Sequence, residues 1–393
     1  MYSSSDIFSP SQAESSLDDS LNSALAILLG GDFQSRWEVS KQLPAFGEEV
    51  VAPLLALLAD GDLEWEVRWF AARILGHFNR SDVIEALVAL LLKTEDEDLR
   101  QGAADALTRI GPGAVQALTQ LLIQPSRREL AAWALAQIRH PSTVPPLLEM
   151  AQDAAAAVRS LAIEALAGYR DDRVLAVVQS ALHDPDGTVR LKAVEALVGY
   201  RQQLGELALT KLLQPRLQDE DSRVARSAIA VLGRLSAAEA AAALTALLQT
   251  PETPKTQRLA VIQALGWMRT LPALQGLQCC WPQVGLTERL AIITALSHQT
   301  ADLRAMAAST LLTWLQDLSA SEAPEALAQL RQQGALALAE LGATAALPLL
   351  RTWQSDPDEG VRLHAIAALR RLNPDDGSSP SNSSAKLQAP PES

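Results

Sequence analysis

The sequence predicts an all-α fold, a right-handed α-solenoid of about eleven helical pairs, and three observations carry that prediction. A nine-residue phrase, V-R-x-x-A-x-x-A-L, recurs along the chain. A second apolar phrase lies between successive copies. Hydrophobic residues make up 48% of the 393 positions but aromatics only 4%, so the apolar content is mostly Ala, Leu and Val, which suits close-packed helices.

The copies can be read in order. "SRWEVSKQL" begins at 35, "VRWFAARIL" at 67, "LRQGAADAL" at 99, "RRELAAWAL" at 127, "VRSLAIEAL" at 158 and "VRLKAVEAL" at 189. Looser copies follow: "VARSAIAVL" at 224, "QRLAVIQAL" at 257, "ERLAIITAL" at 288, "LRQQGALAL" at 330 and "VRLHAIAAL" at 361. The template arginine falls at Arg36, Arg68, Arg100, Arg128, Arg159, Arg190, Arg258, Arg289, Arg331 and Arg362, with Ala225 and Arg226 covering the seventh copy. Steps are mostly 31 to 33 residues, but the step from Arg289 to Arg331 is 42, which calls for an extended helix or an insertion. Each copy is read as the second helix of a pair. Its partner is the intervening phrase, as in "VVAPLLALL", "VIEALVALL" and "AALPLLRTW", where Pro near a helix start is tolerated.

Turns such as "DPDG", "DEDS" and "DPDE" join the two helices, and Asp there can accept backbone N–H bonds to start the second helix. Acidic turns followed by Arg also allow a ladder of ion pairs between successive pairs. A period of roughly 20 to 50 residues indicates an array in which no pair buries its apolar face alone and neighbours stack into one core. Neither the ankyrin nor the tetratricopeptide signature is present. The array covers residues 18–373, while 1–17 and 374–393, rich in Ser, Pro and Gly, read as disordered.

On a helical wheel, template positions 1, 5, 8, 9 and 12 form the buried stripe, and positions 3, 7 and 10 lie opposite, on what is expected to be the concave wall. Position 3 holds Trp37 and Trp69; position 7 holds Lys41, Arg73 and Trp133. Exposed Trp beside cations is the composition of an interaction hot spot. With Phe70, these residues form the predicted partner-binding surface.

Other chemistry is sought in vain. His77, His140, His183, His298 and His364 fall in different repeats, no "HE" pair occurs, and Cys279 with Cys280 supplies at most half a zinc site. There is no phosphate-cradling G-x-x-x-x-G-K-[ST], no G-x-S-x-G and no dinucleotide turn. The net charge of −13 repels a phosphate backbone, which excludes nucleic acid as the default partner. The acidic N-terminus is not a signal peptide and no uncharged apolar run reaches about 18 residues, so neither secretion nor membrane insertion is expected. A reducing, cytoplasmic setting fits the neighbouring cysteines.

The template resembles the short HEAT-like repeats associated with phycobilin lyases. "VRWFAARILGHF", residues 67 to 78, is similar to a segment of the E/F-type lyases, which attach or remove open-chain tetrapyrroles on phycobiliproteins. That resemblance implies a cyanobacterial or photosynthetic setting and a partner drawn from the phycobiliproteins. The reading carried forward is a protein-binding scaffold without catalysis or bound cofactor. The alternative is a bilin lyase or chromophore-handling chaperone that holds phycocyanobilin or a related tetrapyrrole transiently, its rings on Trp37, Trp69 and Phe70 and its propionates on Arg73.

Overall fold

The computed structural model describes residues 10–318 and 323–373, and every regular element among them is helical. The chain divides into two compact units on either side of the Gly199–Tyr200 bond.

The first unit holds six helical pairs: α1 (Pro10–Gly30) with α2 (Phe33–Gln42), α3 (Val51–Ala59) with α4 (Trp65–Leu75), α5 (Ser81–Lys93) with α6 (Glu97–Ile110), α7 (Val115–Leu121) with α8 (Arg128–Gln137), α9 (Val144–Met150) with α10 (Ala156–Leu166), and α11 (Asp172–Ala181) with α12 (Gly187–Leu197). The second holds five: α13 (Arg201–Leu213) with α14 (Ser222–Leu232), α15 (Ala238–Gln249) with α16 (Lys255–Met268), α17 (Leu271–Cys280) with α18 (Leu286–Ser297), α19 (Ala301–Gln316) with α20 (Pro324–Glu340), and α21 (Leu347–Thr352) with α22 (Glu359–Leu372). Within each unit the even-numbered helices pack on one another in chain order, α2 to α12 and α14 to α22, and each except α18 also packs on its odd-numbered partner, α18 packing on α19 instead. This two-layer stack is the architecture of an all-α solenoid.

Every copy of the template falls on an even-numbered helix, as the spacing predicts. Asp32, Asp96, Asp186, Asp221 and Asp358 each accept a backbone N–H at the start of such a helix, the role expected of the acidic turns. The long step is taken up by helix length: α19 has 16 residues and α20 has 17. The segment 1–17 expected to be disordered runs too far, because α1 already starts at Pro10, whose fixed φ suits a first helical position. Residues 1–9 and the tail 374–393 lie outside the described residues.

The template arginine works as a carbonyl clamp. Its guanidinium turns back and donates to main-chain oxygens at the end of the preceding helix or in the turn after it: Arg36 to Leu29, Arg68 to Leu58, Arg128 to Leu122, Arg159 to Asp153 and Ala154, Arg190 to Asp184 and Pro185, Arg362 to Asp356 and Pro357. Carbonyls at a helix end have no intrahelical donor, so one cation satisfies groups that burial would otherwise orphan. Three template arginines also reach acidic residues at or beside the next pair's turn: Arg36 to Glu64 (3.0 Å) and Glu66 (2.9 Å), Arg159 to Asp184 (2.7 Å), and Arg331 to Asp356 (2.6 Å). The expected inter-repeat ladder is therefore present.

Burial on the even-numbered helices is wider than the wheel predicts. Position 6 is buried in Ala72, Ala104, Ala132, Ile163, Val194, Ile229, Ile262 and Ile293, because each of these helices meets a neighbour on its flank as well as its own partner. Position 10, expected to face outward, is instead a close-contact point where it is glycine. A Cβ added to Gly76 would lie 2.9 Å from the Ala106 Cα, and one on Gly233 would lie 2.7 Å from the Ala264 Cβ. A side chain there would hold the next helix away.

The stretch Phe33–Ala59 is long and apolar enough, by length and composition alone, to cross a membrane, contrary to the reading from uncharged runs. It is not one rod. Gly47, with φ 67° and ψ −139°, breaks it, and Leu43, Val50, Leu54 and Leu58 within it are buried in the helical core.

Candidate functional site

Helices α2 and α4 carry the same stripe twice. On α2 it is Phe33, Trp37 and Lys41; on α4 it is Trp65, Trp69 and Arg73. A spacing of four places successive members one turn apart on one face of a helix. Equivalent members of the two stripes are 32 residues apart, one repeat, and α2 packs directly on α4. An aromatic row, a tryptophan row and a cation row thus lie side by side on adjacent helices.

The rows are joined by ring contacts. Phe33 stacks on Trp37 with centroids 6.3 Å apart and an interplanar angle of 17°. Phe33 also leans on Phe70 at 5.4 Å, and Trp69 meets Phe70 edge-on at 5.0 Å. The Arg73 guanidinium lies 4.3 Å from the Trp37 ring centroid and 5.7 Å from that of Trp69, and Lys41 Nζ lies 5.7 Å from Trp37. Arg73 therefore bridges the two indoles, an arrangement favoured by the ring quadrupoles and by its planar, weakly hydrated cation. Burial, with Arg109 nearby, weakens the hold of Arg73 on its proton, and Asp105 acts the other way.

Trp69 is positioned by the following repeat. A Cβ on Gly102 of α6 would lie 2.5 Å from its Cδ1 and 2.7 Å from its Nε1, so the indole rests in a slot that only glycine leaves open. Beside it, His77 Nδ1 donates to the Ile74 carbonyl at 3.1 Å, which leaves Nε2 to accept from Arg109 at 3.2 Å.

The sequence-predicted residues are distributed unevenly. Trp37, Trp69 and Arg73 come together, half-buried rather than fully exposed, because the flanking helices cover part of positions 3 and 7. Lys41 is exposed and also pairs with Glu38 at 3.1 Å. Phe70 is a correction: it is 0% exposed, a core residue that supports Phe33 and Trp69 from beneath and touches no partner. Trp133 is half-buried on α8, separated from α4 by α6, and lies outside the ladder. Sequence reasoning missed Phe33 and Trp65 as site members, although they are the exposed ends of the stripes at 54% and 44%. Their shared place two residues before the template was the available signal.

Among the described residues no group of three or more His, Cys, Asp or Glu side chains is placed to hold a metal ion. Cys279 is exposed and receives a hydrogen bond from Gln249 Nε2; Cys280 is buried, which pushes its thiol up to about 11. The arrangement on α2 and α4 offers flat apolar faces edged by cations, which is chemistry for recognition.

A family model for HEAT repeats matches residues 51–130, 124–198 and 209–297, more than half of the chain. The match is to HEAT repeats in general and does not single out the phycobilin lyases. No curated protein matches in sequence. Among solved structures, importin beta is similar over 90% of this chain and 55% of its own, at 16% identity and a TM-score of 0.52. Kap121p bound to Nup53p is similar over 91% of this chain and 45% of its own, at 16% identity and a TM-score of 0.61. Kap121p bound to RanGTP gives 92%, 45%, 16% and 0.60 in the same order. At such identity the likeness is one of fold, and the chain spans about half the length of these structures.

Proposed function

The chain belongs to the HEAT-repeat family, and from that premise we propose that it is a protein-binding scaffold that docks a partner on the doubled stripe of α2 and α4 without performing chemistry. The observation that carries the reading is the pairing of exposed Phe33 and Trp65 with a rigid floor of Trp37, Arg73 and Trp69. Hot spots are enriched in Trp and Arg, and anchors already held in place lose little conformational freedom on binding. An end-cap explains the stripe less well. A cap would turn its aromatic residues into the core, as Phe70 does, whereas Phe33 and Trp65 face outward. Similarity in fold to proteins solved with partners bound, such as Kap121p with Nup53p, supports the same class of function.

The finer identity proposed for the partner is a phycobiliprotein, on the strength of residues 67–78, and phycocyanin is the first probe. A tetrapyrrole ligand would have to displace Arg73 from the Trp37 face, so a protein partner is the reading the geometry favours. The test compares the full chain with Phe33→Ser/Trp65→Ser, two exposed substitutions that spare the core. The expected result is a defined partner captured by the wild type and lost by the variant, with helical circular dichroism unchanged. Equal capture by both removes this surface from the function, and a shifted phycocyanobilin spectrum on mixing would favour chromophore handling instead.

A further inference from the structure

The second unit carries a groove that the proposed docking surface does not use. It lies between α16 and α18, has a volume of about 520 Å3, and is floored by Gly266 and Ala295. The floor is low because these helices nearly touch: a Cβ on Gly266 would lie 2.8 Å from the Ala295 Cβ. Trp267, 53% exposed, stands over the groove, and Arg269 and His298 lie at the C-terminal ends of the two helices.

A groove at this place is a general product of the repeat, but its chemistry here is particular. Between α8 and α10 the same template positions line a groove of about 380 Å3. There Gln137, Glu164 and Gly168 stand where Trp267, Thr294 and His298 stand between α16 and α18, and of the polar lining only the arginine, Arg139 or Arg269, is shared. Glu164 is moreover held by Lys192 at 3.2 Å. The α16–α18 groove has therefore exchanged a carboxylate for a hydroxyl, gained an indole and a histidine, and kept its guanidinium. Its lining contains a cation and no carboxylate, in a chain of net charge −13.

Two details show how a ligand would be read. Arg269 is the one non-glycine residue with positive φ among the described residues (φ 49°, ψ 42°). It occupies the left-handed position after a helix where glycine is ordinarily preferred, so the backbone is strained to place an arginine at the end of the groove. His298 Nδ1 lies 2.9 Å from the Thr294 carbonyl, which can only accept, so Nδ1 carries the proton and Nε2 is the acceptor of the neutral ring. The equivalent nitrogen of His77 accepts from Arg109 in the first unit.

We propose that the α16–α18 groove binds an extended acidic segment of a partner protein, with an apolar side chain on Trp267 over the Gly266–Ala295 floor, a carboxylate on Arg269, and a backbone N–H donated to His298 Nε2. A peptide fits better than a small molecule, because ligand cavities enclose most of their ligand whereas here Gln263, Trp267, Arg269 and Thr294 are all exposed. This site is independent of the stripe on α2 and α4.

A displayed library of random dodecapeptides, panned against the full chain, tests the proposal. Selected peptides are expected to place an aromatic or leucine side chain within two residues of Asp or Glu. Trp267→Ala and Arg269→Gly should each weaken their binding by about tenfold or more. Arg269→Gly relieves the backbone strain, so its melting temperature holds or rises, which separates lost recognition from lost folding. Peptides without acidic residues, or binding that survives both substitutions, overturn the proposal. So does a naphthoate that perturbs Trp267 when no peptide is selected, since the occupant is then a small organic acid.

Discussion

Substituting Arg190 by Met removes one carbonyl clamp while keeping most of its apolar stem. Arg190 is 5% exposed, and its Nη1 donates to the Asp184 carbonyl at 2.8 Å and the Pro185 carbonyl at 3.0 Å. Hydrogen bonds from a charged donor contribute about 1.5 to 3 kcal/mol each. The turn itself is half-exposed, so water recovers part of that loss, and the expected penalty is about 2 to 3 kcal/mol for the pair. Arg68 is the internal control in the same unit: half-buried, it makes a single bond of 3.2 Å to the Leu58 carbonyl, and Arg68→Met should cost about 1 kcal/mol. Repeat arrays open locally, so amide hydrogen exchange over residues 184–190 is the appropriate assay. Arg190→Met should speed exchange there by about 30- to 150-fold. A change below about threefold, or an equal effect from Arg68→Met, would refute the view that the template arginine is retained as a clamp.

Gly102→Ala should push the Trp69 indole out of its slot, since the new Cβ would meet Cδ1 at 2.5 Å. The helix gains about 1 kcal/mol of propensity, which offsets part of the clash; partner capture should fall while the melting temperature changes little, and unaltered capture would detach Trp69 from the surface. The pH dependence follows from Asp184, where burial opposes ionisation but hydrogen bonds from Arg159 and the Asp186 backbone outweigh it and lower its pKa. A carboxyl depressed in the folded state stabilises above its unfolded pKa of about 3.9 and loses that contribution as pH falls through the folded value. Arg159→Met removes the main opposing partner, so acid unfolding should begin at a higher pH, and an unmoved midpoint in an acid titration would contradict this. Finally, a thiol reagent at neutral pH should modify Cys279 in the native chain and leave Cys280 untouched until unfolding, as peptide mass mapping would reveal.

Much of the architecture is legible because the repeat writes its packing into the template. Valine or leucine at position 1, alanine at 5 and leucine at 9 recur because each copy meets the same partner helix, and every even-numbered helix follows from them. What a single-helix wheel cannot represent is the neighbour on either flank. For that reason position 6 turns out buried, Gly76 and Gly233 at position 10 meet the next helix, Phe70 belongs to the core, and Trp37 and Trp69 are half-covered. The start of α1 at Pro10 was hidden for a different reason, since its Ser- and Asp-rich opening looks like a disordered segment in composition. The α16–α18 groove escaped because Trp267, Arg269 and His298 stand at positions 11 and 13, beyond the end of the nine-residue phrase.

These misses share a cause that bears on function. In an array, the template positions are committed to stacking, so a repeat can vary its chemistry only where the template is silent: two residues before it, at positions 3 and 7, and just past its end. Both candidate sites occupy such positions. On α2 and α4, aromatic and cationic residues return after 32 residues and so become neighbours on adjacent helices, whose axes lie about 8 to 10 Å apart. On α16 and α18, the exchanges to Trp267, Thr294 and His298 that distinguish their groove from the one between α8 and α10 fall at positions 11, 7 and 11, outside the Ala and Leu positions of the template. It follows that Trp65→Ser and Trp267→Ala, both at silent positions, should change recognition with little effect on stability, whereas Ala71→Leu, at a buried template position, should overpack the core and destabilise by about 1 to 3 kcal/mol. Thermal unfolding of the three variants side by side checks the separation, and a Trp267→Ala variant as unstable as Ala71→Leu would show that the groove tryptophan serves the stack after all.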